Sequence, residues 1–192
     1  VTCWADTAWG QRTVPSSTSS GNVGRQVSVG FSNVCVLRGN GSLECWRDQI
    51  GPPTGAYTQV SASTNVDCAL RTDGIATCWN SSNALPDFSK ITWIEISAND
   101  HGFCGVKANG LLQCIGPQYT NDMPTATKFV QASASFFTLC AVSQSGVPTC
   151  WGHKSGENAV IPPAGVVMRS LSVGDDHVCA ITETGAVSCW GS

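Results

Sequence analysis

The sequence predicts an all-β fold, a β-propeller of about five blades, on three observations. A cysteine, nine intervening residues and a second cysteine occur five times: Cys35 with Cys45, Cys68 with Cys78, Cys104 with Cys114, Cys140 with Cys150, and Cys179 with Cys189. A glycine stands four residues before the second cysteine of every pair: Gly41, Gly74, Gly110, Gly146 and Gly185. The first cysteines of successive units lie 33, 36, 36 and 39 residues apart, a period typical of solenoids and propeller blades.

Each unit opens on a short strand. Val27-Ser28-Val29, Val60-Ser61-Ala62, Ile96-Ser97-Ala98, Ala132-Ser133-Ala134 and Leu171-Ser172-Val173 place apolar residues alternately about a serine, so the apolar ones share one face. Small side chains at these positions suit the crowded innermost strand of a radial array. Tyr57, Trp93, Phe129 and Met168 align just upstream and are expected in the core.

The two cysteine arms follow as a hairpin. A three-residue loop ending in the turn glycine, as in Thr72-Asp73-Gly74 or Glu183-Thr184-Gly185, is a type I turn followed by a left-handed residue, a conformation glycine adopts without steric cost. The two cysteines then fall opposite each other in a non-hydrogen-bonded pair, within reach of a disulfide. Disulfides are therefore expected between Cys35 and Cys45, Cys68 and Cys78, Cys104 and Cys114, Cys140 and Cys150, and Cys179 and Cys189. Structural zinc needs cysteines two to four residues apart, and no such pair exists here. Five stapled hairpins imply an oxidising compartment.

After the second cysteine stands Trp46, Trp79, Trp151 or Trp190, with Ile115 in the third unit. Neighbouring strand residues face opposite sides, so this side chain points away from the disulfide. A ligand platform is one reading; a large apolar group packing one blade against the next is the simpler one. The connectors, with Gly51-Pro52-Pro53 and Ile161-Pro162-Pro163, can hold a fourth, edge strand, where proline costs no ladder bond.

Residues 60–79, VSASTNVDCALRTDGIATCW, and 171–191, LSVGDDHVCAITETGAVSCWG, resemble the regulator of chromosome condensation repeat superfamily, in particular its disulfide-bearing branch in crinkly-type plant receptor ectodomains. The likeness covers about 25–192. It implies the propeller fold, although the five complete units here depart from the usual seven. For function it implies a range that includes a nucleotide exchange factor, a β-lactamase inhibitor and receptor ectodomains, and fold does not fix function. The expected organisation is one propeller domain over 1–192, with units at about 25–56, 57–92, 93–128, 129–167 and 168–192 and a partial unit at 1–24.

That partial unit carries Thr2-Cys3-Trp4, the second half of a repeat. Val1 to Trp4 adds as an outer strand to the last blade, belongs to a larger propeller, or completes a second chain; the first demands least. Cys3 is outside the pairing pattern and is expected as a free thiol or as an interchain bridge in a disulfide-linked homodimer.

Charged residues are 12% of the chain and the formal net charge is -3, which leaves no basic stripe for nucleic acid. No apolar run has the length of a membrane span, and no signal peptide stands at Val1, as in a mature secreted chain. The sequons Asn40-Gly41-Ser42 and Asn80-Ser81-Ser82 fit a secretory route and mark Asn40 and Asn80 as glycosylation candidates. No nucleophile motif of the Gly-x-Ser-x-Gly kind accompanies His101, His153 and His177. A glycosidase would need two of Asp100, Asp122, Asp175 and Asp176 to converge. Asp175-Asp176-His177 reads as ordinary loop polarity rather than a metal site. The chain is expected to be non-catalytic, with no cofactor and no metal.

The five residues before each first cysteine vary most between units, and in a propeller all five segments emerge on one face. A fixed frame with variable loops is how rigid scaffolds display recognition groups. The candidates are Asn33, Asn65, Asp67, Asn99, Asp100, His101, Phe136, Phe137, Asp175, Asp176 and His177. Their mixture of amides, carboxylates, histidine and aromatics favours a secreted, lectin-like carbohydrate-binding protein. The alternative is a protein-binding propeller, either a receptor ectodomain or an enzyme inhibitor.

Overall fold

The structure is a computed structural model and describes residues 23–31, 33–46, 50–79, 87–100, 102–115, 123–151 and 161–191. Val1 to Trp4, and with it Cys3, lies outside the described residues, as do Asn80, His101 and His153.

Among the described residues, fifteen strands form five antiparallel three-stranded sheets, each in sequential order. The first blade is β1 (Gly24–Val29), β2 (Val34–Arg38) and β3 (Leu43–Trp46); the second is β4 (Tyr57–Ser61), β5 (Asp67–Arg71) and β6 (Ala76–Trp79). The third is β7 (Trp93–Asn99), β8 (Gly102–Lys107) and β9 (Leu112–Ile115); the fourth is β10 (Phe129–Ala134), β11 (Leu139–Ser143) and β12 (Pro148–Trp151). The fifth is β13 (Met168–Val173), β14 (His177–Thr182) and β15 (Val187–Gly191). Gly51-Pro52-Pro53 and Ile161-Pro162-Pro163 form no strand; the rest of the connectors, where a fourth strand was expected, lies in part outside the described residues.

All five expected disulfides are present. Cys35 is bonded to Cys45, Cys68 to Cys78, Cys104 to Cys114, Cys140 to Cys150 and Cys179 to Cys189, with Cα atoms 4.0 to 4.1 Å apart. In each hairpin the two cysteines are directly opposed in the ladder. The five turn glycines have φ between 78 and 88°, the left-handed region that only glycine enters freely.

A second periodic feature lies in the inner strand. Every one carries a bulge at the same place, one residue after the aligned Tyr57, Trp93, Phe129 or Met168, and at Arg25 in the first blade. The extra residue is exposed in all five, while Tyr57, Trp93, Phe129 and Met168 are buried. A bulge shifts the facing of the residues on either side of it, so a core group and an outward group can be neighbours here.

The core is a series of layers between successive blades. Trp79 of the second blade packs with Cys35, Leu37, Tyr57 and Val60. Ile115 packs with Val66, Cys68, Leu70 and Trp93, Trp151 against Cys104 and Phe129, and Trp190 against Cys140, Val142 and Met168. The residue after each second cysteine therefore covers the preceding blade's disulfide arm. Trp46 packs with Val34 and Val36 of its own blade.

Hydrogen bonds join the same blades by one repeated pattern. Gln26 Nε2 donates to Val60 O at 3.0 Å and its Oε1 accepts from Val60 N at 2.9 Å. Gln59 brackets Ile96 in the same way, at 2.8 and 2.9 Å, and Gln131 brackets Leu171, at 2.8 and 2.8 Å. Two residues further on, Ser28, Ser61, Ser97 and Ser133 accept from Ala62, Ala98, Ala134 and Val173 N. The carbonyls of Gly41, Gly74, Gly110 and Gly146 accept from Tyr57, Trp93, Phe129 and Met168 N. The inner edge of each following blade, which an open sheet leaves unpaired, is thus covered by side chains of the blade before it.

Four such joints connect five blades. No hydrogen bond among the described residues makes a fifth between the last blade and the first. Val27 and Val29 on β1 are 47% and 63% exposed, and Gly185 has no atom within 4 Å of where a Cβ would stand, whereas the other four turn glycines abut the next blade.

Candidate functional site

The segments between first and second strands all leave the same end of the middle strands, opposite the turn glycines, and so share a face. Close backbone approach sets their shape. A Cβ on Gly30 would stand 2.1 Å from Asn33 Oδ1 and 2.2 Å from Ser63 O, and one on Gly191 2.2 Å from Asp176 O. Glycine at these places lets neighbouring loops, and the end of β15, come together.

Several of the variable polar groups tie loops to one another. Asn33 Nδ2 donates to Asp67 Oδ2 at 2.6 Å across the joint between the first two blades. Asp67 Oδ1 accepts from Ser63 N at 3.1 Å, fixing its own loop. Between the second and third blades, Thr64 N donates to Asp100 Oδ1 at 3.0 Å and Asn65 Nδ2 to Asp100 O at 3.4 Å. Thr138 Oγ1 donates to Asp175 O at 3.2 Å between the fourth and fifth. Asn33, Asp67 and Asn99 are buried. The expectation that these three are displayed for a ligand is corrected by their burial, and Asn33 and Asp67 reach each other across adjoining loops before they reach solvent.

The displayed groups are fewer. Asn65, Phe137, Asp175, Asp176 and His177 are exposed, and Phe136 and Asp100 are half-buried. Phe136 and Phe137 meet edge to face with ring centroids 4.3 Å apart. The Thr138 bond brings their loop beside Asp175, Asp176 and His177, and the His177 ring lies over Gly174. The structure therefore brings together the candidates of the fourth and fifth blades, and separately those of the first three. Phe31, 63% exposed on the same face, belongs with the displayed set and was legible as the aromatic in a Gly-Phe-Ser-Asn loop. No group of three or more His, Cys, Asp or Glu able to hold a metal occurs among the described residues.

Residues 168–192 match the family model described as the regulator of chromosome condensation (RCC1) repeat. Among solved structures, the chain is similar to the entire ectodomain of the Physcomitrella patens receptor kinase CR4, with a TM-score of 0.81 at 21% identity, covering 100% of this chain and 56% of that one. It is similar to the CRINKLY WD40 ectodomain of the Arabidopsis thaliana receptor kinase ACR4, with a TM-score of 0.79 at 21% identity, covering 99% of this chain and 71% of that one. Yeast RCC1 (Prp20), in its complex with Kap60, follows at 0.68 and 14% identity, covering 89% of this chain and 56% of that one. The chain thus spans little more than half of the moss ectodomain. No match was found among the curated proteins. The fold is a disulfide-stapled β-propeller, and the resemblance read from the sequence is borne out by the repeat match at 168–192 and by these similar structures.

Proposed function

We propose that the chain is a non-catalytic, extracellular recognition propeller that binds a protein partner on the face formed by the loops between first and second strands. The observation that carries this reading is the division of labour on that face. Asn33, Asp67 and Asp100 hold the loops rigidly together, while Phe31, Phe137, Asp175, Asp176 and His177 are left exposed. Exposed aromatics beside charged groups on a rigid frame are the usual anchors of a protein interface. The five disulfides fit an oxidising environment, and the similar structures of the two plant receptor kinases are ectodomains. No helix among the described residues is long and apolar enough to cross a membrane.

Carbohydrate binding is the second reading, favoured by one place only. The paired Phe136 and Phe137 rings stand on the loop that Thr138 ties to the Asp175–His177 loop, which puts aromatic rings and hydrogen-bonding groups on adjoining loops, as sugar recognition requires. Asn40 supports the extracellular reading from the opposite face. It is exposed at the β2–β3 turn, and its Oδ1 accepts from Ser42 N at 3.0 Å and Ser42 Oγ at 2.8 Å, so a glycan there leaves the loop face clear.

A Phe137→Ala variant and a double variant, Asp175→Asn with Asp176→Asn, separate the readings. In a pull-down from the source tissue followed by affinity measurement, either variant should weaken the captured partner at least tenfold, with unchanged thermal unfolding. Binding on a glycan array, abolished by the same variants, would establish the second reading. A partner whose affinity neither variant alters, with no glycan bound, would remove the loop face as the site.

A further inference from the structure

We infer that Glu95 makes the joint between the third and fourth blades a proton-operated one, tight when its carboxyl is protonated and weakened when it ionises. The position is occupied by glutamine in the first, second and fourth blades, at Gln26, Gln59 and Gln131, and each amide both accepts from and donates to one backbone residue of the following blade. Glu95 keeps the accepting half: Ala132 N donates to its Oε2 at 2.9 Å. A carboxylate has no hydrogen to offer the Ala132 carbonyl, and it places negative charge where the glutamines place an N–H. A neutral carboxyl has that hydrogen, and with it Glu95 reproduces the glutamine clasp in full.

The surroundings favour the neutral form. The other oxygen, Oε1, accepts from Gln59 Nε2 at 3.2 Å, a bond that leaves Gln59 still bracketing Ile96. Among the described residues, no strand packed against β7 presents a cation that offsets an ionised Glu95. Of the strands packed against β7, β4 and β10 contain no charged residue. On β8, Lys107 lies opposite Trp93, two residues away toward the end of the ladder. On β5, Asp67 is bonded to Asn33 and Ser63, and Arg71 is paired with Asp73. Desolvation is the largest influence on the carboxyl and raises it to about 7, against smaller lowering effects from the Ala132 and Gln59 bonds.

The sign follows from linkage. A carboxyl that holds its proton longer in the folded state than in the unfolded chain contributes stability at low pH that is lost as pH rises from the unfolded value toward about 7. Glu95→Gln carries the clasp permanently and removes this dependence.

Equilibrium urea unfolding of the wild type and Glu95→Gln across about pH 5.5 to about pH 8 tests the inference, because the difference between them cancels every titrating group the two proteins share. Relative to Glu95→Gln, the wild-type folding constant should fall roughly 20-fold to 30-fold over that range. A carbon-13 titration of the wild-type Glu carboxyls should show one resonance, lost in the variant, with its midpoint near neutrality. Parallel pH profiles for the two proteins, or a Glu95 midpoint in the ordinary carboxylate range, would overturn it.

Discussion

At the scale of single residues, complementary sizes hold the blades' inner faces together. Trp93 is the largest of the aligned core groups, and the residue after the first cysteine of its blade is Gly105, where the other blades have Val36, Ala69, Ala141 and Ala180. A Cβ on Gly105 would stand 2.7 Å from the Trp93 ring and 2.7 Å from Glu95 O. The glycine is there because the tryptophan is. Gly105→Ala should therefore destabilise the protein by about 1–3 kcal/mol, read as a lower urea midpoint. The change should be smaller in a Trp93→Phe background, since Phe129 coexists with Ala141 in the next blade. The aligned aromatics were legible as core from their period alone, but their steric partner was not, because it lies across the ladder rather than along the chain.

At the scale of the element, the hairpin and the joint differ in how far the sequence exposes them. The hairpin was legible whole, since Cys, turn glycine and Cys obey the two-residue period and fixed loop length of a local structure. The joint is written in the sequence too, as Gln26-Val27-Ser28, Gln59-Val60-Ser61, Glu95-Ile96-Ser97 and Gln131-Ala132-Ser133. Its meaning stays hidden there because the polar residues bond a backbone some 34 to 40 residues away, and along the chain the serines look like mere spacers for apolar neighbours. Removing Gln131 leaves the Leu171 N–H and C=O without partners at the joint. Gln131→Ala should cost about 1–3 kcal/mol and raise amide exchange at Leu171 selectively, with exchange at Ile96 unchanged. Removing a hairpin bridge acts differently, through the unfolded chain. Replacing Cys140 and Cys150 together by alanine should lower stability by about 3 kcal/mol in the chain-entropy model, measured by denaturant unfolding.

At the scale of the whole molecule, the blades form a sequence of nearest-neighbour contacts, and the site rests on them. Loop groups were legible as a shared face from the repeat period, yet which of them remain exposed was not: Asn33 and Asp67 belong to different blades and meet only once the blades are assembled. The same dependence makes the loop face sensitive to the joints beneath it. Loss of the Ser133 hydroxyl, two residues from Gln131 in the joint under the Phe136–Phe137 and Asp175–His177 loops, should weaken partner binding. Ser133→Ala should do so more than Ser28→Ala if the fourth and fifth blades form the binding surface, a comparison that affinity measurements on the two variants decide.

Each joint is also asymmetric in its demands. In its hydrogen bonds the giving blade supplies a specific amide, or the Glu95 carboxyl in the third blade, together with a hydroxyl and a turn carbonyl, whereas the receiving blade's inner edge contributes backbone N–H and C=O groups that any strand possesses. Val60, Ile96 and Leu171 are bracketed alike although their side chains differ. The inner-edge hydrogen bonds thus impose little on the identity of the newcomer, and selection falls to the side chain after its second cysteine, which covers the preceding blade. Strands bound in this manner can vary their inner-edge side chains one blade at a time, while the loop ties between neighbours are what keep successive blades matched.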